Sequence, residues 1–356
     1  MTAHERRRIR KAPRNTMDRT RYVWSADMPG VFGALRRFAL SPSLNDVSFA
    51  GRGFPVTPTR ATRALEAIPQ SVVCGFEWGI DVASLEDLRR RLEMVTAELR
   101  GFAYEGATMA LTIRDAMAAG RGTRTRELLA GPGRPHTFLT YIGIGFAMAR
   151  LPRVLWRGVL PDLTGTPYYP TMSWLAVDGY GFDRAYFDTE RVITRQRKLD
   201  PYPWRGRPDY FPHAVDQGIG RALWFIHGGR PDPVSAALRA FAPDRHADLW
   251  SGVGLAATFA GGCDRAGLTG LRADAGEHAP HLAQGAVFAA KARHFSGFVT
   301  DHTEVAVHAL AGLPVATAAE LADDVSLTGA HGGEPDYESW RRQVREHVTR
   351  DHAARP

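Results

Sequence analysis

The chain has 356 residues, of which 44% are apolar and 23% charged, with 36 Gly, 23 Pro and two Cys. This composition excludes a mostly disordered chain, a collagen and a disulfide-stapled mini-domain, and the length allows one large core or two ordinary ones. The formal net charge of +7 suggests nucleic acid until it is located: Arg6, Arg7, Arg8, Arg10, Lys11, Arg14, Arg19 and Arg21 stand against Glu5 and Asp18, so all but one unit of it sits in residues 1–21.

That segment reads as a disordered basic arm, solvated rather than bound, and no nucleic-acid partner is expected. Residues 22–40 show no clean apolar stretch ending in a small-residue cleavage site. The longest apolar stretch, 138–151, is shorter than the roughly 20 residues of a membrane span. Cys74 and Cys263 share no CxxC context and read as small hydrophobes in a reducing compartment. The expectation is a cytoplasmic protein without a membrane span. A single helical-repeat domain over 22–345 follows the arm, with a flexible tail at 346–356.

Strand-like alternation is scarce and helical patterns are common. Residues 84–99 open with Ser84, place Glu86 and Asp87 in the first turn, and align Leu85, Leu88, Leu92, Val95 and Leu99, which predicts one capped amphipathic helix. Residues 232–242 and 336–350 read likewise. The segment 195–213, rich in Pro, Arg and aromatics, predicts a long loop.

A small-residue motif recurs along the chain: YEGATMA at 104–110, YIGIGFAMA at 141–149, DGYGFDRAYF at 178–187, DQGIGRALWF at 216–225, WSGVGLAATF at 250–259 and AQGAVFAAK at 283–291. The lead glycines, Gly106, Gly143, Gly179, Gly218, Gly252 and Gly285, are spaced 37, 36, 39, 34 and 33 residues apart. Such a period marks stacked helix pairs, each with a partner helix such as 124–130 or 232–242. Gly costs about 1 kcal/mol against Ala inside a helix, so its recurrence points to close backbone approach between neighbouring helices. The residues just before the lead glycines are Glu105, Ile142, Asp178, Gln217, Ser251 and Gln284. Five of the six are polar within apolar helices, so they either line a shared channel or bond neighbouring units together. The fold class expected is all-α, with stacked helix pairs forming a compact superhelix or toroid.

Five segments carry a family resemblance: AVDQGIGRALWFIHGG with DRHADLWSGVGLAATFAGG inside 214–262, DVSFAGRGF at 46–54, GFAYEGATMAL at 101–111, LAQGAVFAAKAR at 282–293 and EPDYESWRR at 334–342. Over about residues 30–345 the chain resembles the domain-of-unknown-function 1702 family. Its members occur in enediyne antibiotic gene clusters as accessory biosynthetic proteins. The resemblance implies a pathway context whose intermediates are long hydrophobic polyenes. It transfers no reaction and no catalytic residue.

No GxSxG elbow, P-loop, HExxH or CxxC pair is present, so no cofactor and no metal are expected. The nearest metal candidate, His302, Glu304 and His308, reads more simply as one face of a helix. Asp216, Gln217 and Arg221 fall on nearby turns with Trp224 beyond them, as either a buried network or a ligand-orienting set. Glu105 beside Tyr104, and Asp183 near Tyr186, offer acid–base groups to an interior pocket. With Asp216 these carboxyls are the catalytic candidates. The ligand-binding candidates are Tyr104, Asp178, Gln217, Arg221, Trp224, Trp250, Ser251 and Gln284. Lys291, on an apolar helix, either snorkels to water or is a desolvated amine. The leading expectation is an accessory protein that binds or processes a hydrophobic polyene-like intermediate by cofactor-independent acid–base or cyclisation chemistry. The alternatives are a non-enzymatic scaffold for a biosynthetic partner enzyme and an isoprenoid-type cyclase. Against the cyclase, Asp323 and Asp324 are the nearest thing to an aspartate-rich motif.

Overall fold

The computed structural model describes residues 43–118, 122–325 and 333–353. The basic arm expected at 1–21 lies outside them. The described residues form an all-α fold without a strand. The helices are α1 (Leu44–Val47), α2 (Arg60–Asp81), α3 (Leu85–Glu93), α4 (Ala97–Met117), α5 (Arg124–Ala130), α6 (Thr137–Arg150), α7 (Trp174–Phe187), α8 (Phe211–Ile226), α9 (Pro231–Arg239), α10 (His246–Ala260), α11 (Arg265–Ala275), α12 (Ala279–Phe295), α13 (Asp301–Ala311), α14 (Val315–Asp324) and α15 (Asp336–Ala353). The domain end expected at 345 falls inside α15, which runs on to Ala353.

Seven helices pack side by side in the order α2, α4, α6, α7, α8, α10, α12, and their glycines explain how. A Cβ placed on Gly143 would stand 2.2 Å from the Glu105 carbonyl oxygen on the preceding helix. On Gly179 it would meet Ile142 O, on Gly218 Asp178 O, on Gly252 Gln217 O and on Gly285 Ser251 O, all within 2.3 Å. Each lead glycine therefore rests on the backbone of the residue just before the previous lead glycine. A second glycine two residues on faces the next helix instead: Gly145 meets Ala176 O, Gly181 Val215 O, Gly220 Leu249 O and Gly254 Leu282 O. No side chain fits in these gaps, so only glycine permits the contact. α2 joins the same pattern, with Gly75 against Ala103 O and Gly106 against Val72 O.

The row curls so that distant members meet. Arg293 on α12 donates to Glu98 O on α4 at 3.1 Å and to Phe259 O on α10 at 2.7 Å. Phe102 and Phe259 meet edge to face, as do Phe138 and Phe288. Leu65 of α2 packs beneath Gly229 and Gly262, which follow α8 and α10.

The partner helices expected at 124–130 and 232–242 appear as α5 and as α9, which ends at Arg239, and α3 and α11 are further short helices between members of the row. After α6 and α7 the chain runs instead through short 3-10 and π turns and irregular loops. The helix expected over 84–99 is divided. Ser84 Oγ caps α3 as predicted, accepting from Asp87 N at 3.1 Å. Thr96 is extended (ψ 145°) and α4 starts afresh at Ala97. The reason is burial: α3 has one apolar face, whereas α4 is buried on all sides from Gly101 to Ile113, and one straight helix cannot follow both surface and interior. Among the described residues no single helix is long and apolar enough to cross a membrane; only the bent pair α13–α14 passes on length and composition together.

The glycine contacts make a paired test. Gly252→Ala puts a methyl group 1.9 Å from Gln217 O, and it is expected to lower stability in urea denaturation by about 2 kcal/mol or more. Gly270→Ala, in α11 with nothing within 4 Å of the added Cβ, is expected to raise it by about 0.5–1 kcal/mol.

Candidate functional site

The curled row encloses two neighbouring cavities. The larger, about 60 Å³, is bordered by α2, α4, α6, α7 and α8 and has room for several waters at ~10–15 Å³ each. The smaller, about 30 Å³, lies between α4, α6, α7, α8, α10 and α12. Phe102, Arg221 and Phe225 border both and form the partition. Phe76, Met109, Phe146, Phe182, Tyr186 and Phe187 are among the apolar and aromatic residues of the larger cavity's wall. Pro69, inside α2, also lines it.

Two carboxyls and two guanidinium groups reach this apolar space: Glu105, Asp183, Arg150 and Arg221. Asp183 is ion-paired with Arg150 at 2.7 Å, and burial still holds its pKa above the usual carboxylate range. Arg221 pairs with Asp178 and lies over the Phe182 ring at 5.1 Å. Glu105 differs. It is 2% exposed, and among the described residues its carboxyl makes no hydrogen bond and no ion pair within 4 Å. Burial pushes its pKa up to about 8, only partly opposed by the more distant Arg221. A carboxyl in such surroundings holds its proton, because the charged form would lose hydration without replacement.

The residues before the lead glycines do not line one shared channel. Glu105 lines the larger cavity and Ile142 the smaller. The other four form one hydrogen-bonded series across four consecutive helices. Gln217 Nε2 donates to Asp178 Oδ2 at 2.8 Å. Ser251 Oγ stands 3.4 Å from Gln217 Oε1 and donates to Gln284 Oε1 at 3.0 Å. α15 closes over this series. Gln217 Nε2 donates to Tyr337 Oη at 2.9 Å, and Arg341 Nε donates to Gln284 Oε1 at 3.2 Å. The guanidinium of Arg341, 1% exposed, also pairs with Asp248 and Glu338 at 2.8 Å each and donates to Tyr210 Oη at 2.9 Å. Although burial alone would raise Asp248, Arg341 and His213 hold its pKa below the ordinary value.

Other candidates lie elsewhere. Asp216 and Arg221 are not partners: Asp216 turns to Arg245, which it meets at 2.9 and 2.5 Å. Tyr104 packs on the His136 ring at 4.7 Å. Trp224 Nε1 donates to Gly261 O at 2.8 Å, and Trp250 is buried. Asp216, Tyr104, Trp224 and Trp250 line neither cavity. Lys291 is neither snorkelled nor a free amine. It is ion-paired with Asp323 beside the Tyr168 ring, and despite burial these contacts raise its pKa. His302 Nε2 lies 3.1 Å from Phe259 O, while His308 Nδ1 meets Arg265. Among the described residues no group of three or more His, Cys, Asp or Glu is placed to hold a metal ion.

Sequence reasoning did not single out Arg150, Tyr337 and Arg341. For the last two a signal existed: an aromatic and a base four apart on a helix otherwise rich in charge. Arg341→Met strands Asp248 and Glu338 without their buried partner and is expected to cost about 3–5 kcal/mol in thermal or chemical unfolding. Lys198→Met, which removes a pair exposed on both sides, is expected to change almost nothing.

The comparisons with known proteins give one match. No curated protein and no solved structure matches the chain. A family model described as "Protein of unknown function (DUF1702)" matches residues 31–348, a span holding both cavities and the polar series, and the chain belongs to that family.

Proposed function

We propose that the chain binds a slender, mainly apolar molecule in the Glu105 cavity and acts as an accessory protein in the biosynthesis of an enediyne-type polyketide or a similar polyene. The pathway part of this reading rests on the resemblance drawn from the sequence. The binding part rests on the cavity lining, aromatic with few polar groups as in small-molecule sites, while its volume of about 60 Å³ admits only a narrow chain.

The observation that carries the reading is Glu105. A carboxyl is costly to bury without a partner, yet this one stands on a wall that otherwise satisfies its polar groups. In the neutral form it offers an O–H donor to a carbonyl or hydroxyl on an otherwise apolar ligand. With a pKa near 8 it can also give or take a proton close to neutral pH, which suits acid–base or cyclisation chemistry without a cofactor. Asp183, neutralised by Arg150, serves better to orient than to transfer a proton. The scaffold reading has less support, because α15 covers the polar series that an open concave surface would need.

Two measurements test this. Native mass spectrometry of protein purified from a producing host is expected to show a retained small molecule, and a clean apo mass with capture of a synthase instead would favour the scaffold. The second is stability against pH. An acid raised from 4.5 to about 8 stabilises the folded state while protonated. That contribution is complete below pH 4.5 and is lost as pH climbs through 8, by up to about 5 kcal/mol at 1.36 kcal/mol per pH unit. Glu105→Gln is expected to flatten this slope; an unchanged profile would mean that Glu105 titrates as an ordinary carboxyl, and the reading would fall.

A further inference from the structure

The larger cavity has a polar edge that the reading above does not use. Among its lining residues Arg150 is exposed, and Phe187, Pro69 and Val72 are partly exposed; these four mark its mouth. Arg150 and Arg52 both lie over the Phe187 ring, at 4.8 and 5.4 Å. Around them the charges are unevenly matched. Arg150 faces Asp183 at 2.7 Å. Arg184 and Arg191 share Asp188, at 2.7 and 3.9 Å. Glu66 is held by the Phe49 amide at 2.6 Å. Arg52 donates one hydrogen bond, from Nη2 to Phe187 O at 2.8 Å; its Nε is buried with no partner, and among the described residues no carboxylate comes within 4 Å of it.

We infer that the ligand is a single-chain amphiphile whose carboxylate head docks on Arg52 and Arg150 at the mouth, with its tail running inward past Phe182 toward Glu105. This rests on the cavity being a binding site. A planar guanidinium pairs with a carboxylate through parallel N–H donors, and Arg52, beside the mouth over the Phe187 ring, meets no carboxylate within 4 Å among the described residues. The wall beyond the mouth is aromatic and aliphatic, so it suits the tail. The far end, at Glu105, accepts only a neutral polar group, since a second anion there would meet a carboxyl with no cation within 4 Å. The arrangement thus sets a direction, with the charged end outward and the neutral end inward.

The test compares decanoate with methyl decanoate by isothermal titration calorimetry on the full chain, at fixed salt. Decanoate is expected to bind about tenfold tighter, as a charge-assisted pair adds to shared burial of the tail. Arg52→Met is expected to bring the acid to within about threefold of the ester and leave the ester unchanged, with the thermal midpoint checking that the variant folds. Asp183→Asn, which removes a competing anion from Arg150, is expected to tighten the acid alone. Equal affinity of acid and ester in the unaltered chain, which needs no variant, overturns the carboxylate head while leaving the cavity as a binding site. A loss of both ligands together in Arg52→Met overturns it likewise. If neither ligand binds the unaltered chain, the cavity reading fails and this inference fails with it.

Discussion

The structure depends on contact between the backbones of successive helices. Where a lead glycine presses on the previous helix's carbonyl, the two axes come closer than any side chain allows. The cost of a helical glycine, about 1 kcal/mol each, is offset by dispersion and burial along the whole contact. Two glycines per helix, one facing back and one forward, carry the row through α6, α7, α8 and α10. Because the contact always involves the residue before the lead glycine, that residue recurs at the same place in each helix.

Burying that place decides its chemistry. Asp178, Gln217, Ser251 and Gln284 are polar and inside, so each needs a partner, and the nearest is the equivalent residue one helix on. Hydrogen bonds therefore run across the row. The series gains further partners from Tyr337 and Arg341 of α15, so the last helix covers it instead of leaving a groove, although Gln284 Nε2 stays buried without a partner among the described residues. Glu105 occupies the same position but faces the larger cavity, with no neighbour to bond. Arg221 joins the two regions: its guanidinium pairs with Asp178 in the series while its side chain borders both cavities.

The amino-acid sequence made some of this legible on its own. Absence of strand-like alternation and the recurring small-residue motif gave an all-α fold, because helix period and glycine placement are local properties. The motif also picked out the polar positions; four of them bond neighbouring helices together, and Glu105 alone lines a cavity. The motif does not extend to α2 because its lead position holds Val73, although Gly75 and Gly79 both press on α4. The break at Thr96 was missed because Leu85, Leu88, Leu92, Val95 and Leu99 keep one helical period across it.

Tertiary structure decided everything that depends on which distant side chains meet. Asp216 found Arg245, Arg221 found Asp178, and Lys291 found Asp323, pairings over 29 to 43 residues that no local pattern encodes. Glu105 and Asp178 have the same place in the motif, yet only the curl of the row gives one a cavity and the other a cation. Periodicity along a chain sets which face of a helix is buried; the charge a buried residue can carry is set by the neighbours that folding brings beside it.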